Sequence, residues 1–140
     1  MLQQRKLQLI TQGAILLILI GNAFYAHRCI FRTSEYINQY GFGDGSAIMT
    51  RLVGTFAAGF AIVLVIALAT SIKGAWLLFV YGFIQAVTGA VVCYKTIKSP
   101  WGAVDGVKTS AEGYLAPTAI AILNLVVLVF GRETLFDGLV

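Results

Sequence analysis

The chain holds a single histidine, His27, and two cysteines, Cys29 and Cys93, so the side chains that most often carry nucleophilic, redox or metal chemistry are nearly missing. His27 closes an apolar stretch, where a neutral imidazole can supply one axial ligand to a pigment. A bis-histidine haem needs a second imidazole, whereas chlorophyll needs only one ligand. A solvated interfacial histidine is the expected reading, with chlorophyll ligation the alternative. No apolar segment carries two carboxylates at i, i+3 or i, i+4, the arrangement a di-metal site requires. Nor does any Ser-His-Asp or Cys-His set share a depth. The expectation is therefore no catalytic residue, no metal and no enzyme. Two reduced thiols are expected at Cys29 and Cys93, although both fall at one membrane face near the ends of the first and third apolar segments.

Uncharged polar groups are what remain. Gln8, Thr11 and Gln12 follow i, i+3, i+4 spacing in the first apolar segment, and Asn22 lies deeper. Gln85 and Thr88 share one helical face in the third segment, and Asn124 sits near the middle of the fourth. One reading has these groups hydrogen-bonding between helices to fix register, at about 0.6 kcal/mol per contact. The other gathers Asn22, Gln85, Thr88 and Asn124 into a polar pocket between the first, third and fourth segments, holding a lipid headgroup, quinone or pigment. The first is expected. Small residues recur four apart as Gly54/Ala58, Thr55/Gly59, Gly82/Ala86 and Ala86/Ala90, a spacing that lets helix backbones approach closely in lipid. Gly54, Ala58, Gly59, Gly82 and Ala86 are the expected packing positions, used first between the second and third segments.

The elements that must position these residues follow from bulk counts. Of 140 residues, 59% are hydrophobic and 11% are charged, with ten Lys and Arg against six Asp and Glu. Soluble domains carry roughly 25% charged residues, so a water-soluble enzyme, a disordered tail and a charged nucleic-acid binder are excluded. Four continuous apolar segments, near 7–26, 52–70, 74–94 and 114–130, match the roughly 20 residues that cross a bilayer as helix. A transmembrane barrel would need alternating segments of about ten residues instead. The predicted fold is an all-α integral membrane four-helix bundle filling residues 1–140, with no soluble domain. No Asp, Glu, Lys or Arg lies well inside any segment, which argues against a proton- or ion-coupled pump.

Four spans place both termini and the short loop near 71–74 on one side, and the connections 27–50 and 95–113 on the other. Residues 33–40 are predicted to form an interfacial helix, followed by a glycine-rich reversal that lacks the ending of a phosphate loop. Asp44 or Ser46 is expected to cap the second span, and Pro117 to occupy the first turn of the fourth. Tyr25, Tyr36, Tyr40, Phe42, Trp76, Tyr94, Trp101 and Tyr114 gather near the span boundaries, mostly as anchors at headgroup depth. Arg28, Arg32, Arg51, Lys95, Lys98 and Lys108 lie with the long loops, against Arg5, Lys6, Lys73 and Arg132 opposite. The first span is nearly balanced in charge, so this count does not orient the chain. That span also lacks the small-residue cleavage site of a signal peptide. A net charge of +4 suits an inner, plasma or energy-transducing membrane with anionic lipids.

Four spans, a longer first loop ending in a turn, and Arg51-Leu52-Val53-Gly54 opening the second helix resemble the small DoxX-like four-helix membrane proteins, where an Arg-x-x-Gly pattern opens the same helix. The resemblance implies a four-helix bundle, sometimes tied to quinone or thiol redox systems; the chain departs from that chemistry in having no Cys-x-x-Cys. The functional expectation is a non-catalytic accessory or scaffolding subunit that packs against partner subunits, membrane lipids or pigments, or against further copies of itself. The alternatives are a small oligomeric transporter or quinone-linked protein, and an antenna-type subunit using His27.

Overall fold

Continuous apolar sequence in lipid must satisfy its own backbone, and helices do so within one segment. The computed structural model describes residues 2–103 and 106–136. Among these the chain is all-α: α1 (Leu2–Phe31), α2 (Thr33–Tyr40), α3 (Ala47–Ala69), α4 (Trp76–Ile97), α5 (Glu112–Phe130) and α6 (Arg132–Leu135). Short 3-10 turns lie at Asp44–Ser46 and Pro100–Ala103. Helices α1, α3, α4 and α5 are long and apolar enough to cross a bilayer. They overrun the apolar segments at several ends, because a helix leaving hydrocarbon still needs partners for its amides. Large apolar side chains such as Leu17, Ile62, Val65 and Ile122 are exposed on their outer faces, as a lipid-solvated bundle requires.

The packing order is α3–α1–α5–α4: α1 lies between α3 and α5, and α4 packs on α5. The expected close pairing of α3 with α4 is therefore corrected. Phe60 of α3 stands between them, its Cζ against Gly82 and its ring centroid 6.5 Å from that of Tyr81. A phenyl ring at that point keeps the two backbones apart. The core draws on all four long helices near the short-loop end, through Ile15, Ile18, Leu64, Phe79 and Val127, with Leu135 of α6 closing it. The short loop is held there too, since Gly74 (φ 74°) donates its N–H to the Leu135 carbonyl at 3.0 Å.

Two terminal details differ from expectation. Asp44–Ser46 forms a 3-10 turn, and neither side chain caps α3. Ser46 has helical dihedrals (φ −78°, ψ −9°), whereas a capping side chain needs an extended backbone to reach the first amides. Pro117 lies in the second turn of α5, which starts at Glu112, so the ring removes a donor inside the helix. The predicted interfacial helix is α2, with Thr33 and Ile37 buried. Gly41 (φ 66°) ends it: Gly41 N–H bonds Asn38 O and Phe42 N–H bonds Ile37 O, a Schellman arrangement.

Candidate functional site

At the long-loop end, chain segments distant in sequence meet around Arg28. This residue closes the last turns of α1, where a cation opposes the helix dipole, and Glu112 opens α5, where an anion does the same. The two pair at 3.5 Å, with the Arg28 side chain largely buried. The guanidinium also donates to Gln39 Oε1 and lies over the rings of Tyr36 (5.2 Å) and Phe24 (5.7 Å). Tyr40 donates its hydroxyl to the other Glu112 oxygen at 2.6 Å. Burial and this hydrogen bond push the Tyr40 phenol up to about 12. Lys108 N–H bonds the Tyr40 carbonyl at 2.8 Å. Gly41 approaches Gly106 so closely that a Cβ there would lie 1.6 Å from the Gly106 oxygen. The two long connections are thus fastened to each other and to the ends of α1 and α5.

Beside this knot, between α1, α2 and α3, opens a cleft of about 310 Å³. Tyr25 and Cys29 line it from α1, Tyr36 from α2, and Ser46, Met49, Thr50 and Val53 from the start of α3, with Phe42 between. The Tyr25 and Tyr36 hydroxyls are 3.1 Å apart, their rings edge to face. Burial raises the Tyr36 phenol above its ordinary range, so it is protonated at neutral pH. Among the described residues Ser46 Oγ is buried without a hydrogen-bond partner. Among the described residues no charged side chain lines the cleft. Its polar groups are the hydroxyls of Tyr25, Tyr36, Ser46 and Thr50 and the Cys29 thiol, set beside the apolar Phe42, Met49 and Val53. No protein-family model, curated protein or solved structure matches this chain. The site therefore rests on its geometry.

The remaining residues singled out by sequence scatter. Asn124 is fully buried and donates to Ile120 O at 2.8 Å, while its Oδ1 has no hydrogen-bond partner. That oxygen faces Gly82, where an added Cβ would sit 2.7 Å away, so the glycine lets α4 approach α5. Asn22 turns back on its own helix to Ile18 O. Gln85 and Thr88 are exposed on α4, and neither described cleft includes any of these four residues. Gly54 and Ala86 are buried, Ala58 is half-buried, and Gly59 is exposed with nothing within 4 Å of a would-be Cβ. His27 is exposed, its ring 5.7 Å from that of Phe31. Cys29 is buried, Cys93 half-buried, and both are free thiols. Gln8, Thr11 and Gln12 do share a cleft, of about 700 Å³, with Ile72, Phe130 and Thr134 at the opposite end. Sequence reasoning missed the Arg28–Glu112–Tyr40 knot and the hydroxyl-lined cleft. The one local signal was the Tyr36/Tyr40 spacing on α2, which places both rings on one face.

Proposed function

We propose that this chain is a non-catalytic accessory or scaffolding subunit of a membrane assembly, working by helix packing in the bilayer. The observation that carries this reading is the face of α4 bearing Gln85 and Thr88. Both are exposed about halfway along a helix of membrane-spanning length, and neither makes a side-chain hydrogen bond among the described residues. An amide held in an apolar medium without a partner costs about 1–3 kcal/mol by protein mutational scales. A neighbouring transmembrane helix that offers a donor or acceptor at this depth removes that cost. A second copy of the chain does so with its own Gln85, because a two-fold axis brings like residues together. Gly59, open on α3, offers a further place for close approach.

Purification of the full chain in mild detergent tests this reading. The wild type is expected to run as a complex or homo-oligomer, and Gln85→Leu to shift it toward monomer while keeping its helical content. A wild-type chain that runs as a lone monomer across detergents and in nanodiscs overturns the proposal.

A further inference from the structure

We propose that the cleft between α1, α2 and α3 binds the ester carbonyl of a membrane glycerolipid, with the attached acyl chain leaving over Met49 and Val53 into the bilayer. Depth is the first argument. The cleft sits at the long-loop ends of α1 and α3, among Tyr25, Tyr36 and Phe42, the level where amphipathic rings meet headgroups and ester groups. Hydrogen-bond polarity is the second. The Tyr25–Tyr36 pair uses one hydroxyl proton internally and turns the second toward the part of the cleft that Cys29 also lines. Ser46 Oγ is buried and unpartnered, and Thr50 adds another buried residue with a hydroxyl. Each of these hydroxyls has a proton to donate, and an ester carbonyl, which accepts and carries no charge, is a group they can hold without a counter-ion.

Charge and shape narrow the ligand further. The nearest cation, Arg28, is already held by Glu112 and Gln39 and is not part of the lining, so a free carboxylate has no counter-ion in the cleft. The volume of about 310 Å³ lies at the lower limit for a ligand pocket. It suits an ester and its first methylenes rather than a whole lipid. Met49, Val53 and Phe42 are all exposed, so the apolar wall runs out to the lipid-facing surface and leaves a path for the chain. This proposal does not depend on the assembly reading, because the cleft lies within one chain.

The full chain, reconstituted in phosphatidylcholine nanodiscs with a trace of phosphatidylcholine carrying a photoreactive diazirine beside one ester, tests it. After irradiation, adducts should concentrate on residues 42–53 and be competed by excess diester lipid but not by its diether analogue. Ser46→Ala combined with Tyr36→Phe removes donors without filling space, and each lost hydrogen bond should reduce cleft labelling by about fivefold. Val53→Trp fills the cleft and should abolish that labelling, while adducts at Ile62 and Val65 persist as evidence of a folded bundle. Should Val53→Trp not fold, the hydroxyl variants and the diether competition decide alone. Labelling equal at Ile62, Val65 and the cleft, and indifferent to ester or ether, means annular lipid only and overturns the proposal.

Discussion

At Gly54 α3 lies close against α1, and this contact offers a sharp test of the packing order. A methyl group at this position would lie 2.7 Å from Cys29 Cβ and 2.8 Å from Ile30 Cγ1. Carbon atoms rest about 3.5–4.0 Å apart, and Cys29 Cβ is fixed to the α1 backbone, so no rotamer change relieves the overlap. The two helices must separate by about 1 Å, and overpacking of that kind costs about 1–3 kcal/mol. Alanine also favours the helix over glycine by about 1 kcal/mol, which would mask part of the effect in a single variant. Gly59 cancels that term: it sits on the same helix with open space where its Cβ would be. The expected outcome is Gly54→Ala less stable than Gly59→Ala by about 1–3 kcal/mol, with Gly59→Ala at or above wild type. Equilibrium unfolding in mixed detergent micelles, followed by circular dichroism, measures both. Equal stability of the two variants would refute the close contact between α1 and α3, and with it the arrangement α3–α1–α5–α4.

Two further outcomes follow from the polar groups. Burial and the Glu112 hydrogen bond push the folded-state Tyr40 phenol up to about 12 from a tyrosine's ordinary value of about 10, so its contribution to folding is present below about pH 10 and is lost as pH rises through the folded value; hydrogen exchange in residues 33–42 should quicken over that window, and Tyr40→Phe should show the quickened exchange already at neutral pH. Asn124 buries an oxygen with no hydrogen-bond partner, and exchanging such a group for an apolar one of similar shape is nearly neutral or stabilising, so Asn124→Leu should unfold within about 1 kcal/mol of wild type or above it; a loss beyond 2 kcal/mol on that scale would show that Oδ1 has an unseen partner.

Much of the architecture was legible in the residues. Four charge-free apolar runs of bilayer length announce four long helices, and Thr33 with Ile37, four apart in a polar stretch, announces the amphipathic α2. Who packs against whom was not legible. Small residues at Gly54 and Gly82 declare a face of close approach, but the partner depends on which neighbour brings a bulky group, and Phe60 forces that choice. Gln85 and Thr88 share a face, as their spacing says, yet spacing alone cannot tell an inner face from an outer one. The Arg28–Glu112 pair joins the end of the first long helix to the start of the last, a separation at which no local pattern signals contact. The cleft was hidden for a related reason. Its lining comes from three helices and a turn, and Ser46 reads as a helix cap until its dihedrals rule that out.

The order α3–α1–α5–α4 also bears on how the chain is assembled during synthesis. Helix α1 precedes its neighbour α3 in the chain, so this half of the bundle can form before α4 and α5 are made. Helix α4 then arrives with no flush partner, because Phe60 holds it off α3. Gly82 meets the Phe60 ring of α3 on one side, but its contact with Asn124 waits for α5, which packs on both α1 and α4 and joins the two halves. Helix α5 is therefore the keystone of the bundle. A chain cut short before Glu112 would keep the α1–α3 pair but lose the one helix that ties α4 to it.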